Sequence, residues 1–157
     1  MSIEVLLIPL ALAALAGGAR MMQEAAPESV KTSSGISTAI QARSVAKDRR
    51  MLVEALVGLG SSVTVDEETL AATLEGREIL FAPDAEGVYW AKADAGAWRE
   101  QFEHLLSSVD QEYGRQVQLD VYRKVIARAA ERGLQLEMEQ RDGDNSIVLT
   151  FVTQETH

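Results

Sequence analysis

Few side chains in this chain are typed and spaced for chemistry, and each such group has a plainer use. Glu100 and His104 stand four apart and would share one face of a helix, the spacing that lets two side chains reach one metal ion. No further ligand accompanies them, so the pattern reads as a solvated pair; the other histidine, His157, lies at the C-terminal end. Asp142, Asp144 and Asn145 resemble the opening of a calcium loop, but Thr153 stands where the bidentate glutamate belongs, and a hairpin turn explains them better. Asp66-Glu67-Glu68 is a carboxylate run that reads as a turn. Gly58-x-Gly60 precedes an expected strand instead of following one, so it is not a dinucleotide fingerprint. With no cysteine, thiolate metal sites, disulfides and cysteine nucleophiles are excluded. These readings predict no catalytic residue, no metal and no cofactor. The remaining candidates are aromatic. Tyr89, Trp90 and Trp98 would form a binding surface if exposed, and strand alternation puts Tyr89 and Trp90 on opposite faces, one of them in the core.

The elements around these residues begin with a hydrophobic N-terminus. Residues 5–19, VLLIPLALAALAGGA, carry no charge, and residues 1–22 are expected to form a hydrophobic helix. A helix of that uncharged run spans roughly 22 Å, against a bilayer core of roughly 30 Å that needs about 20 residues. Three fates fit it: a membrane anchor, a helix docked on protein, or a cleaved signal with Ala14-Leu15-Ala16 as its small-x-small site. The residues expected to contact the membrane or partner are Leu6, Leu7, Ile8, Leu10, Leu12 and Leu15. Arg20 and Lys31 on the C-terminal flank would place the following domain in the cytoplasm, held at a membrane or within a large assembly.

Residues 23–35, QEAAPESVKTSSG, read as a linker, and residues 36–153 as one α/β domain. Strands are expected over 37–43, 62–65, 70–74, 78–81, 87–92, 134–140 and 147–152, and helices over 47–60, 95–109 and 111–132. Gly60 and Gly133 each close a helix before a strand, which suggests two β-α-β-β halves. Such halves would make an α+β fold with one antiparallel sheet and its helices on one face. Leu134, Leu136 and Met138 alternate toward one side, and Leu56, Tyr122, Ile126, Leu136 and Leu149 are expected to share one core. The net charge of −9 argues against a nucleic-acid partner, which needs a basic patch.

The segments ISTAIQARSVAKDRRMLVEALVGLG, ADAGAWREQFEHLL and QLDVYRKVIARAAERGLQLEMEQRDGDNSIVLTFV carry a family likeness. Over residues 36–152 the chain resembles the cyanobacterial and plastid conserved-hypothetical family, domain of unknown function twelve fifty-seven. The most specific part is the C-terminal block: a helix with Tyr122, then Gly133, an alternating strand, an Asp/Gly turn and Ser146-Ile147-x-Leu149. The resemblance implies no catalytic residue. It implies a role near AAA-type ATPases, and the N-terminal hydrophobic helix departs from the family pattern. The expected function is therefore a non-enzymatic interaction or adaptor protein, attached through that helix. A structural subunit of a homo- or hetero-oligomer is the second reading. A small ligand-binding or hydrolytic domain with an unrecognised carboxylate site is the third.

Overall fold

A computed structural model describes residues 2–7, 22–23, 39–94 and 98–153, with only the backbone of 22–23. Among these residues it is a mixed α+β structure of two helices and two antiparallel sheets. The chain divides into two compact units, residues 1–17 with 114–157, and residues 18–113. Helix α2 (Arg99–Glu131) runs through the division.

The first unit is built from both ends of the chain. Strands β1 (Ser2–Leu7), β8 (Leu134–Arg141) and β9 (Ile147–Thr153) form a sheet in the order β1-β9-β8. Leu7, Ala129, Ile147, Leu149 and Phe151 are its buried core. Val5, Tyr122, Val125, Ile126, Leu134 and Leu136 pack partly buried around it. The Gln118 side-chain amide donates to the carbonyls of Leu7 (3.1 Å) and Asn145 (2.8 Å), which ties α2 to the end of β1 and to the β8–β9 turn.

The expected N-terminal helix is therefore not shown. Its first residues are β1, paired from Ser2↔Val152 to Leu7↔Ile147. The physical reason is the need of β9 for a partner on its free edge, together with the alternation Ile3, Val5, Leu7, which matches Phe151, Leu149 and Ile147 across the ladder. A short apolar run does not by itself distinguish strand from helix. Residues 8–21, most of the expected linker at 23–35, and Ile8, Leu10, Leu12 and Leu15 lie outside the described residues. Among the described residues no helix is long and apolar enough to cross a membrane.

The second unit carries the larger sheet, in the order β2-β3-β7-β6-β5-β4. Its strands are β2 (Met22–Gln23, two residues at the edge), β3 (Ala39–Arg43), β4 (Ser62–Val65), β5 (Leu70–Leu74), β6 (Arg77–Pro83) and β7 (Tyr89–Asp94). One face carries Ile40, Ala42, Leu70, Ala72, Ile79, Phe81, Ala91 and Ala93, all buried. Helix α1 (Arg49–Gly58) contributes Met51, Leu52, Ala55 and Leu56 to that core, and residues 98–113 contribute Trp98, Phe102, Leu105, Leu106, Val109 and Tyr113. Asp48 caps α1 by accepting from the Met51 N–H at 3.0 Å. Gly60, at φ 79°, ends it in a left-handed turn in which Gly60 N–H bonds the Val57 carbonyl and Ser61 N–H the Leu56 carbonyl. Glu75 and Gly76 both have positive φ and form the tight β5–β6 turn.

Three further expectations change. The single sheet of two β-α-β-β halves is two sheets. Leu56 lies in the second unit's core, while Tyr122, Ile126, Leu136 and Leu149 belong to the first unit's. Finally, the two helices expected over 95–109 and 111–132 are one helix from Arg99 to Glu131. The expected gap falls at Asp110, a residue type that competes with the helix backbone when its side chain is free. Here its carboxylate is buried and occupied elsewhere, accepting from Ser44 Oγ (2.6 Å) and Val45 N–H (3.2 Å).

Strand β8 also departs from strict alternation. A bulge between Leu136 and Met138 places Leu136 opposite Phe151 and Met138 opposite Thr150. Beyond it, Met138 leaves the core face and is 49% exposed, and Glu139 takes the position opposite Leu149. There Glu139 accepts a 2.9 Å hydrogen bond from the Tyr122 hydroxyl, which raises the Tyr122 pKa above its ordinary value.

Candidate functional site

The three sequence-predicted aromatics do not share a surface. Tyr89 is buried on the helix-covered face of the second unit's sheet, and Trp90, next along β7, is half-buried on the opposite face. The expected split between them is what the strand shows. Trp98 is 5% exposed, stacks edge-on with Phe102 at 5.6 Å, and donates its indole N–H to the Asp94 carbonyl. The Arg77 guanidinium lies 4.8 Å from its ring centroid, so Trp98 is a core residue with a cationic cover. Among the N-terminal candidates, Leu7 is core and Leu6, on the other face of β1, is 55% exposed.

The open face around Trp90 has its own architecture. Cross-strand register sets Arg43 beside Trp90 and Trp90 beside Ala82; the next row runs Gln41, Lys92, Leu80, Ala71, Thr64. Because Ala82 is small, one flank of the indole is left uncovered. A shallow open cleft of about 280 Å³ results, lined by Gln41, Ala82, Pro83, Asp84, Trp90 and Lys92.

Asp84 holds the cleft in shape. It opens the β6–β7 turn, and its Oδ1 accepts the backbone N–H groups of Glu86 (2.8 Å) and Val88 (3.0 Å). Its Oδ2 accepts the Trp90 indole N–H at 3.0 Å. Arg43 lies 3.5 Å from Oδ2 and donates to Glu86 at 2.6 Å. The bond from Val88, then that from Trp90, lead the influences that hold the Asp84 carboxyl below its ordinary value of 3.8, with Arg43 adding a smaller effect. The carboxylate thus fixes both the turn and the indole before any ligand arrives.

Sequence reasoning missed Asp84, Arg43 and Glu86. The one local signal was Pro83-Asp84-Ala85-Glu86-Gly87, a turn sequence whose aspartate is placed to cap its own backbone. The Ser44–Asp110 pair and Tyr113, whose hydroxyl accepts from Lys47 and Asp48 N–H, were missed as well. These tie α2 to the start of α1 and leave the open face untouched.

The other candidates stay apart. Glu100 and His104 are exposed on α2, and Arg49 donates to the backbone carbonyls of Asp66 and Glu67 in the β4–β5 turn. Asp144 accepts from Ser146 N–H and Oγ within the β8–β9 turn, and these bonds, the hydroxyl's first, lower its pKa. Among the described residues no group of three or more His, Cys, Asp or Glu side chains is placed to hold a metal ion. The chain matches no family model, no curated protein and no solved structure.

Proposed function

We propose that this protein acts by binding another protein, and that the open sheet face around Trp90 is its contact surface. The observation that carries the reading is a half-buried indole, locked by Asp84, beside an open cleft with polar ends at Gln41 and Lys92. Tryptophan dominates binding energy where it is placed to be desolvated, and a side chain fixed in advance loses less entropy on association. An adaptor serving an AAA-type ATPase system, the role implied by the family resemblance, is one use of such a surface.

Attachment through the N-terminus is the second reading. The exposure of Leu6, and of Met138 on the same sheet face, favours it. With Ser2–Leu7 committed to β1, the uncharged run that follows is residues 8–19, twelve residues. A bilayer span needs about 20, so this length supports a protein host over a membrane. A structural subunit in a homo-oligomer is one form of that host.

Amide hydrogen exchange on the chain, free and loaded with the proteins it captures from its cells, tests the two readings. Added protection in β3 and β7 is expected. Protection confined to β1 and residues 8–20 would move the contact to the N-terminus.

A further inference from the structure

We infer that the Trp90 cleft takes an acidic, partly apolar segment of a partner protein, with a carboxylate at Lys92 and an apolar side chain against Trp90 and Ala82. This rests on the reading of that face as the contact surface and adds the chemistry of its ligand.

Hydrogen-bond accounting over the lining carries the inference. Its one acid is already occupied: both Asp84 oxygens accept, from Glu86, Val88 and Trp90. The indole N–H is spent on Asp84, and Pro83 has no N–H to offer. Among the described residues, the side chains of Lys92 and Gln41 have no hydrogen-bond or ion-pair partner. Lys92 brings three donors and no acceptor; Gln41 brings two donors and one acceptor. The uncommitted capacity of the cleft is therefore mostly donor, and cationic at Lys92. A ligand that satisfies it must bring acceptors, and a carboxylate does so with charge.

The rest of the lining is apolar. Trp90, Ala82 and Pro83 form one side, and Leu80, next to Lys92 in register and 46% exposed, continues that surface across the sheet. Shape decides between a small molecule and a chain. Small-molecule sites are enclosed enough to cover most of the ligand, typically about 300–1,000 Å³. This cleft, of about 280 Å³, matches the small end of that range but is open, so it accommodates a side chain or two of something that continues beyond it. Nucleic acid would need a row of cations for its phosphates. Arg43 is already paired with Glu86 and Asp84, so among the described residues lining the cleft Lys92 is the one unpaired cation, in a chain of net charge −9.

The test is selection of a displayed random-peptide library on the full chain, with synthetic copies of the enriched peptides then titrated onto variants. Enriched peptides should carry Asp or Glu beside an aromatic or aliphatic residue. Lys92→Gln should weaken them about threefold and Lys92→Glu about tenfold, as removal and reversal of a partly exposed charge pair would. A copy with Lys in place of the acid should recover binding to Lys92→Glu. Lys92 is exposed, so these changes leave folding intact, which circular dichroism checks. Peptides lost on Trp90→Ala but indifferent to Lys92→Glu would overturn the carboxylate and keep the surface. Peptides bound equally by Trp90→Ala and the unaltered chain would overturn both.

Discussion

The two units solve the same packing problem with unequal means. Among the described residues the first has three strands and part of one helix, and much of its hydrophobic set, including Ile126, Leu134 and Leu136, stays half-buried. The second has a five-stranded sheet with an added two-residue edge, α1 and the start of α2, and it seals Leu52, Leu56, Phe81, Phe102 and Leu106 completely. Small cores bury a smaller fraction of their surface, so each strand counts for more. The first unit accordingly depends on Ser2–Leu7, a segment that its composition alone would assign elsewhere. The second has enough buried surface on one face to leave the other open, with Trp90, Lys92 and Gln41 on it.

The largest break in this comparison should come from removing residues 1–7. That deletion takes Leu7 from the core and leaves β9 with a free edge. Amide exchange should show β8 and β9 losing protection while β5, β6 and β7 keep theirs; unchanged β9 protection would remove β1 from the fold. Next are the aromatic cores. Phe81→Ala and Phe151→Ala should each cost about 3–5 kcal/mol. Phe81→Ala should lower exchange protection in the second unit and Phe151→Ala in the first. Loss over the same amides by both would show one cooperative block.

Asp110→Ala should cost about 1–3 kcal/mol in denaturant titration, because Ser44 Oγ and Val45 N–H lose their buried acceptor. A neutral result would make that network dispensable. The smallest effect is acidic. Asp84 in the second unit and Asp144 in the first both have carboxyls held below 3.8 in the fold. The unfolded chain binds those protons more readily, so each contribution to stability is present above about pH 4 and is lost as pH falls through the folded value. Asp84→Asn and Asp144→Asn should therefore lower the melting temperature near neutrality, and the gap to the unaltered chain should close in acid. A gap constant with pH would assign the effect to shape and not to charge.

Much of the fold was legible where local rules act alone. Asp48 with Leu52 and Leu56 marks α1, Gly60 and Gly133 mark helix ends, and Glu75-Gly76 and Asp142–Asn145 mark hairpin turns. What was illegible depends on distant partners. Val5, Leu6 and Leu7 become strand because of β9, nearly the whole chain away. Asp110 stays helical because Ser44 and Val45 occupy its carboxylate. The bulge at Glu137 reverses Met138 with no local mark. Of the candidate site, Trp90 was visible by alternation. Of the Asp84 cradle the turn sequence was legible, but not the reach of its carboxylate to the Trp90 indole or the link from Arg43 in β3, some forty residues from Glu86.

The most direct measurement of the central claim compares two surface variants for capture of proteins from the source cells. Trp90→Ala alters the open face of the second unit; Leu6→Asp places a charge on the exposed side of β1. Both chains should fold, and circular dichroism confirms it before capture. The account predicts that Trp90→Ala loses the partner and Leu6→Asp retains it. Loss with Leu6→Asp and retention with Trp90→Ala would place the contact on the first unit and contradict the account.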